Sequence, residues 1–116
     1  MKIECNGNDL CDAVGRVIKA VSVRSPNAVL EGIKLSAEDG TLTLSATDLE
    51  LSIEHMIRAE IIEAGEAVVP GKLFGDFVKK LTSQNIVLST IGSRLKIDYA
   101  RSEGEFGCFP ASNSPL

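Results

Sequence analysis

The stretch TLTLSATDLELSIEHMIR, residues 41–58, decides the fold of this chain. On both sides of a short polar corner at 46–48, apolar side chains alternate with polar ones. A period of two is typical of β-strands that bury one face and leave the other in water. The sequence therefore predicts two antiparallel strands joined by a tight corner. The apolar residues of this alternation, predicted on the buried face, are Leu42, Leu44, Leu49, Leu51 and Ile53, and His55 follows at the next alternate position.

Length and composition are those of an ordinary globular domain. The chain has 116 residues, of which 44% are apolar and 24% charged, so one domain with its own core is expected. No apolar run approaches the roughly 20 residues of a membrane span, so no membrane partner is expected. Met1 leads straight into an alternating strand, which is unlike a signal peptide. The scattered cysteines Cys5, Cys11 and Cys108 form no CxxC pair, which predicts reduced thiols in a cytosolic protein without a disulfide framework or a zinc site.

Two segments have the apolar spacing of amphipathic helices. The first follows a short strand at Lys2–Asn6, is predicted to be capped by Asn8 or Asp9, and ends before the turn-forming run at 25–27. The second starts at Pro70, whose fixed φ and missing N–H suit a first helical turn. The predicted apolar stripes are Leu10, Val14, Val17, Ile18 and Val21 in the first helix and Leu73, Phe74, Phe77, Val78 and Leu81 in the second.

The remaining segments predict strands and turns. Asp39-Gly40 predicts a hairpin turn, and Gly32 a strand irregularity. Further strands are predicted at 29–37, 67–69, 85–90, 94–99 and 103–109, with a short extended piece at 61–62. The order strand, helix, three strands then occurs twice. Two βαβββ repeats predict an α+β domain with pseudo-two-fold symmetry, in which two helices lie side by side on antiparallel sheets.

The net charge of −4 is unevenly distributed. Segments 8–24 and 70–81, which contain the two predicted helices, carry a net charge of +3, and the rest of the chain carries −7. A phosphate backbone responds to the local potential, so an acidic total is compatible with a basic face that binds nucleic acid. The basic residues of the two segments are Arg16, Lys19, Arg24, Lys72, Lys79 and Lys80.

The run DGTLTLSATDLE at 39–50 resembles a hallmark of the bacterial DNA sliding clamp, the β subunit of DNA polymerase III, in its first domain. Other segments agree with that family in order and spacing. They are Met1–Ile3, VSVR at 21–24, VVPGKLF at 68–74, RLKI at 94–97 and the following Arg101-Ser102. The resemblance covers the whole chain and implies a DNA-clamp fold.

The resemblance also implies a non-catalytic processivity factor without a cofactor. A clamp is a closed ring of such domains, with helices lining a hole through which double-stranded DNA runs and sheets outside. Phosphate contacts without base readout allow such a ring to slide. The implied partners are other clamp domains or subunits, the clamp loader and DNA polymerase III, in the bacterial cytoplasm at the nucleoid. The resemblance implies DNA contacts for Arg24 and Lys72, whereas Arg16, Lys19, Lys79 and Lys80 are candidates from their helix positions alone.

The sequence departs from the family at three places. The family has three such domains per subunit, so a chain with one should lack the peptide groove between the second and third. The last strand usually carries basic residues at the subunit interface, but here it has Glu103 and Glu105, beside Phe106 and Cys108. The tail at 109–115 keeps the family's prolines but not its acidic residue and phenylalanine.

The pseudo-symmetry predicts two open strand edges. Strand 50–58 should face a second domain and strand 103–109 a neighbouring subunit, and uncovered edges favour self-association. A second hypothesis is therefore a stand-alone interaction domain that pairs edge to edge with protein and does not encircle DNA.

An enzymatic function has little support in the sequence. No P-loop, zinc spacing or nucleophile motif is present. The single histidine, His55, has no Ser or Cys partner at a suitable spacing for a triad and is expected at a strand surface or edge. Thr47 and Asp48 are expected to satisfy backbone groups of the corner.

Overall fold

The chain folds into two antiparallel sheets and two helices, as described by a computed structural model for residues 1–22, 28–81 and 84–109. The strands are β1 Lys2–Asn6, β2 Gly32–Glu38, β3 Thr41–Thr47, β4 Ser52–Arg58, β5 Glu60–Glu63, β6 Gly65–Pro70, β7 Asn85–Ile91, β8 Arg94–Tyr99 and β9 Ser102–Gly107. The helices are α1 Gly7–Val17 and α2 Gly71–Val78, and short 3-10 turns occupy Ile18–Ala20 and Ala28–Glu31. The predicted α+β class is confirmed.

The strand order shows how the two βαβββ repeats are combined. One sheet has the order β4-β3-β2-β6, and the other has the order β9-β8-β7-β1-β5. The first strand of each repeat, β1 or β6, thus completes the sheet of the other repeat. The short β5 is added at the edge beside β1. This exchange makes the two repeats one folding unit.

The hairpin between β2 and β3 has the predicted turn. Asp39 and Gly40 have φ angles of 51° and 74°, and Glu38 lies opposite Thr41. Positive φ at both central residues matches the right-handed twist of the flanking strands. The Asp-Gly pair therefore fixes the register that buries Leu42 and Leu44.

The core lies between the helices and the inner faces of both sheets. Helix α1 packs on β3 and β4. The ring of Phe77 in α2 packs edge-on against Tyr99 of β8 and Phe106 of β9, each with centroids 5.4 Å apart. Helix α1 thus covers the outer strands of one sheet, whereas α2 packs on β2 and β6 and reaches the outer strands of the other sheet through Phe77. The largest fully buried side chains are Phe74, Ile3, Leu10, Ile33, Leu35, Leu42, Leu44, Ile86, Leu88, Leu95, Ile97 and Val17.

The polar corner lies later than the sequence predicts. Strand β3 continues to Thr47, and the chain reverses over 48–51. Leu49 and Leu51 were wrongly predicted on the buried face, because they belong to the turn and are 71% and 45% exposed. The alternation of β4 begins only at Ile53.

Three other predicted boundaries also shift. Helix α1 starts earlier because the Asn6 side chain, not Asn8 or Asp9, caps it, accepting bonds from the N–H groups of Asn8 and Asp9 at 2.8 and 3.2 Å. Strand β2 starts at Gly32 because a 3-10 turn precedes it. Strand β9 ends at Gly107, although Phe109 still bridges to Val68.

One of the predicted stripe residues is not in the core. Leu73 is 59% exposed, because α2 buries the face of Phe74 and Val78. Val21 lies beyond α1 and, like Ile18 and Phe77, is partly buried against the core.

Candidate nucleic-acid interface

The two helices lie side by side and pack closely at a glycine. A β-carbon built on Gly75 of α2 would lie 3.2 Å from Val14 Cγ1 and 3.5 Å from Ile18 Cδ1. The absence of a side chain allows this close approach. Beside this contact, the exposed residues of both helices form a shared face, here called the helix surface. They are Asn8, Asp9, Asp12, Gly15, Arg16, Lys19, Lys72, Leu73, Asp76, Lys79 and Lys80.

The helix surface is basic although the chain is acidic. It contains five basic and three acidic residues, a net charge of +2, against −4 for the whole chain. All five basic residues that the sequence places on the helices are exposed: Arg16, Lys19, Lys72, Lys79 and Lys80. A polyanion would therefore meet a favourable local potential on this side of the molecule.

Two of the five cations are paired within their own helix. Arg16 Nε donates to Asp12 Oδ2 at 3.0 Å, and Lys79 Nζ lies 3.3 Å from Asp76 Oδ1. Within the described part of the chain, Lys19, Lys72 and Lys80 form no ion pair. Exposed pairs contribute at most about 1 kcal/mol, so a phosphate could compete for Arg16 and Lys79. The three unpaired lysines need no such exchange.

Asp12 also connects α1 to strand β4. Its Oδ2 lies 3.9 Å from His55 Nε2 on that strand. The Arg16–Asp12 pair therefore lies on the flank of α1 that faces β4. His55 is on the edge strand, as the sequence predicts.

Arg24 lies outside the described residues, so its predicted DNA contact has no structural account. The described residues on either side of it meet at the start of α2. The Ser22 N–H donates to the Leu30 carbonyl at 2.9 Å. A β-carbon on Gly71 would lie 2.9 Å from the Glu31 carbonyl oxygen and 3.0 Å from a methyl carbon of Val21. The described residues Val21 and Glu31 thus lie at the start of α2, next to Lys72.

Lys72 also lies between two grooves. A groove of about 490 Å³ at the start of α2 is lined mainly by apolar atoms, including those of Ile18, Val21 and Leu73. A smaller groove of about 220 Å³ between the helices is lined by Cys11, Gly15 and Lys79, among others. Lys72 borders both, which gives it the most central position of the unpaired lysines.

Strands β4 and β9 are both sheet edges, as predicted. On β9, Glu105 pairs with Arg94 Nε at 2.9 Å and Glu103 with Lys96 Nζ at 3.2 Å. Phe106 is only 7% exposed, so a second chain could reach only its backbone. Cys108 is half-buried, and burial raises the pKa of its thiol.

Among the described residues, no three His, Cys, Asp or Glu side chains are grouped so that they could hold a metal ion. None of the helices in the described ranges is both long and apolar enough to cross a membrane.

Comparison with known proteins gives the family. The family model for the N-terminal domain of the DNA polymerase III beta subunit matches residues 1–116. The chain belongs to this family.

Solved structures and curated relatives agree with this assignment. The chain superimposes on a DNA polymerase sliding clamp from Caulobacter crescentus with a TM-score of 0.95 and 33% identity, over 100% of this chain and 32% of that one. It matches the DNA polymerase III subunit beta of Pseudomonas aeruginosa with a TM-score of 0.94 and 26% identity, over 100% of this chain and 32% of that one. A beta sliding clamp of Streptomyces coelicolor is 33% identical over 115 residues, which cover 99% of this chain and 31% of that protein. The chain thus spans about a third of these relatives.

The ATDLE corner that resembles the sliding-clamp family is structural, as the sequence predicts. Asp48 Oδ1 accepts hydrogen bonds from the N–H groups of Leu51 at 2.7 Å and Glu50 at 2.9 Å, and these bonds lower the pKa of its carboxyl. Thr47 Oγ1 accepts from the Leu49 N–H at 3.0 Å. These bonds hold Leu49 at a φ of 80°, which side chains rarely adopt. Both side chains thus satisfy backbone groups of the corner, which accounts for them without a chemical role.

Sequence reasoning missed the ion pairs of the helix surface. Asp12 and Asp76 contribute to its net charge, and they also pair with Arg16 and Lys79. Their spacings of four and three residues could have predicted these pairs.

Proposed function

We propose that this chain forms the first of three domains of a bacterial sliding clamp, which encircles double-stranded DNA and tethers DNA polymerase III. The observation that carries the proposal is the basic helix surface of a fold that matches solved sliding clamps with a TM-score of 0.95. In such a ring the helix surface would face the DNA and the sheets would lie outside.

The charges of the helix surface suit sliding. Lysine side chains on flexible stems attract phosphates without reading bases, so the free energy changes little as the duplex moves. Lys19, Lys72 and Lys80 would make the main contacts, with Arg16, Lys79 and Arg24 in support. The role is non-catalytic and uses no cofactor, because the ring acts by enclosing the duplex.

The remaining partners follow from the same family. We propose the clamp loader, DNA polymerase III and further clamp domains as partners, in the bacterial cytoplasm at the nucleoid. The edge of β4 would face the second domain. The edge of β9, with Glu103, Glu105 and the backbone of Phe106 and Cys108, would face a neighbouring subunit. Because β9 presents glutamates, that neighbour would need basic residues.

A second candidate function is a protein-interaction module that acts through its strand edges. The open edges of β4 and β9 favour it, since an uncovered strand can pair with another chain. DNA binding by the helix surface separates the two functions, because the module would not need it.

The experiment is a titration of double-stranded DNA by fluorescence anisotropy across a series of salt concentrations. Each lost phosphate contact should reduce the slope of log K against log salt by about one. Lys72→Ala should weaken binding and reduce the slope, equally on duplexes of unrelated sequence. Lys2→Ala is the matched control, because Lys2 is an exposed lysine at the start of β1, and the alternation of the strand turns Ile3 and not Lys2 toward the core. Equal slopes for the Lys72 variant and the unmodified chain would contradict the proposal.

A further inference from the structure

The strand edges differ in what they can bind. Four strands end the two sheets: β4 and β6 in one, β5 and β9 in the other. Strand β6 is partly covered, because Val68 and Phe109 exchange backbone hydrogen bonds of 2.8 and 3.0 Å. The other three can be compared by their charges.

Two of these edges are unsuited to pairing with themselves. Consider two β9 strands paired antiparallel about a two-fold axis midway between Glu103 and Glu105. Glu103 of each copy then lies opposite Glu105 of the other, and like charges at facing positions are destabilising. Both glutamates are also already paired with cations of β8. Strand β5 has only four residues, and its charged residues are Glu60 and Glu63, so no register of it opposes unlike charges.

Strand β4, by contrast, is suited to pairing with a second copy of itself. Its solvent face carries Glu54, Met56 and Arg58, all exposed, and Met56 is 63% exposed. Within the ranges that the structure describes, neither Glu54 nor Arg58 forms an ion pair. An acid and a base lie two residues either side of an exposed apolar side chain, and this arrangement is self-complementary.

We propose that β4 pairs antiparallel with β4 of a second copy of this chain, in the register that sets Met56 opposite Met56. Residues 54 and 58 are then opposite each other, because their numbers lie symmetrically about 56. Glu54 of each copy meets Arg58 of the other, which gives two ion pairs flanking one apolar contact. Opposite charges at directly facing positions stabilise antiparallel strands.

The geometry of the sheet is compatible with this pair. The two four-stranded sheets become one continuous sheet, with β4 next to β4 at its centre. A two-fold axis perpendicular to the sheet keeps α1 of both copies on the same side. The odd-numbered residues of β4, such as His55 and Ile57, continue to face α1, so the core is unchanged.

The proposed dimer does not depend on DNA binding. It forms through the edge of β4 that is not paired with β3, and it involves none of the lysines of the helix surface. It can form wherever the β4 edge is uncovered. If a further domain covers β4, as proposed above for the complete clamp, the second copy and that domain compete for the same edge.

Sedimentation velocity over a wide range of protein concentrations tests the proposal on the 116-residue chain. The unmodified chain should pass from monomer to dimer as its concentration rises. Glu54→Arg and Arg58→Glu should each weaken the dimer at least about tenfold, because each sets like charges opposite each other. The double variant Glu54→Arg/Arg58→Glu should restore it, since both pairs are then unlike again.

Two controls keep the outcome clear. Glu105→Lys changes a charge on the β9 edge and should leave the dimer unchanged. Thermal unfolding midpoints should show that all variants fold, as expected for exposed positions. Any of three results would overturn the proposal. They are a monomer at every concentration, a dimer whose affinity the single variants do not change, and a double variant that fails to restore association.

Discussion

Arg16 Nε lies 3.0 Å from Asp12 Oδ2, so this cation of the helix surface is balanced one turn earlier in its own helix. The Lys79–Asp76 pair repeats the arrangement on α2. The chain thus carries two classes of cation on one surface: paired residues, whose partner a phosphate must replace, and Lys19, Lys72 and Lys80, which form no ion pair with any residue that the structure describes. The two classes should differ in their effect on DNA binding.

Removing the carboxylate of Asp12 should strengthen DNA binding. Asp12→Asn releases Arg16 and removes a negative charge from the helix surface, so anisotropy titrations should show higher affinity for duplex DNA. The salt slope should become steeper by about one. Glu38→Gln removes one negative charge at the exposed end of β2 and serves as the control. Weaker binding by Asp12→Asn would show that the Arg16–Asp12 pair is itself needed at the interface.

Two glycines of α1 should respond in opposite directions to alanine. A β-carbon on Gly7 would overlap the carbonyl oxygen of Leu81, whereas one on Gly15 would meet nothing within 4 Å. Gly7→Ala should therefore lower the free energy of unfolding by about 1–3 kcal/mol through overpacking. Gly15→Ala should raise it by about 0.5–1 kcal/mol through higher helix propensity. Urea denaturation measures both, and the same sign for both would contradict the packing described for α1.

The corner should contribute to stability in a pH-dependent way. Backbone hydrogen bonds lower the pKa of Asp48 below its ordinary value of 3.8. Its stabilisation is therefore complete above pH 3.8 and is lost as the pH falls through the lower folded pKa. Asp48→Ala should lower the thermal midpoint at neutral pH, and its difference from the unmodified chain should shrink in acid. Glu38→Gln is the control, and a difference that stays constant down to strongly acidic pH would argue against the bonded carboxylate.

The three cysteines should report where DNA binds. Burial raises the pKa of Cys5 to about 12, so this thiol should resist alkylation in the folded chain. Cys11 lines the groove between the helices, whereas Cys108 lies beyond β9. Bound duplex DNA should slow the alkylation of Cys11 and leave Cys108 unchanged, as measured by mass spectrometry of the peptides. Equal protection of Cys11 and Cys108 would place the DNA elsewhere.

The sequence predicted the strands and helices well where one local signal dominated. Alternation along 41–58 and the Asp39-Gly40 turn identified the central hairpin, and Pro70 marked the start of α2. These signals depend on residues that are close together in the chain, so they can be recognised from the sequence alone. The exchange of β1 and β6 between the sheets was not predicted, because it depends on contacts between distant segments.

The errors have definite physical causes. Leu49 and Leu51 continue the alternation in sequence. Hydrogen bonds to the Asp48 carboxylate form a turn at this point, however, so both leucines are exposed to solvent. Leu73 fits the helical spacing of the apolar stripe, yet it lies on the exposed side of α2. Spacing alone does not decide which of two adjacent faces of a helix is buried. The basic face was predictable from helix positions, and the sequence spacings of Asp12 from Arg16 and of Asp76 from Lys79 could also have predicted their pairing.

The most direct test of the central claim, that DNA binds the helix surface, is NMR mapping of backbone amide shifts during titration with a short duplex. The account predicts that the shifts change along α1 from Asp12 to Lys19 and along α2 from Lys72 to Lys80, and that both sets fade together as salt is added. Strands β4, β8 and β9 should remain unaffected. Shift changes confined to the sheets, with none on the helices, would contradict the claim.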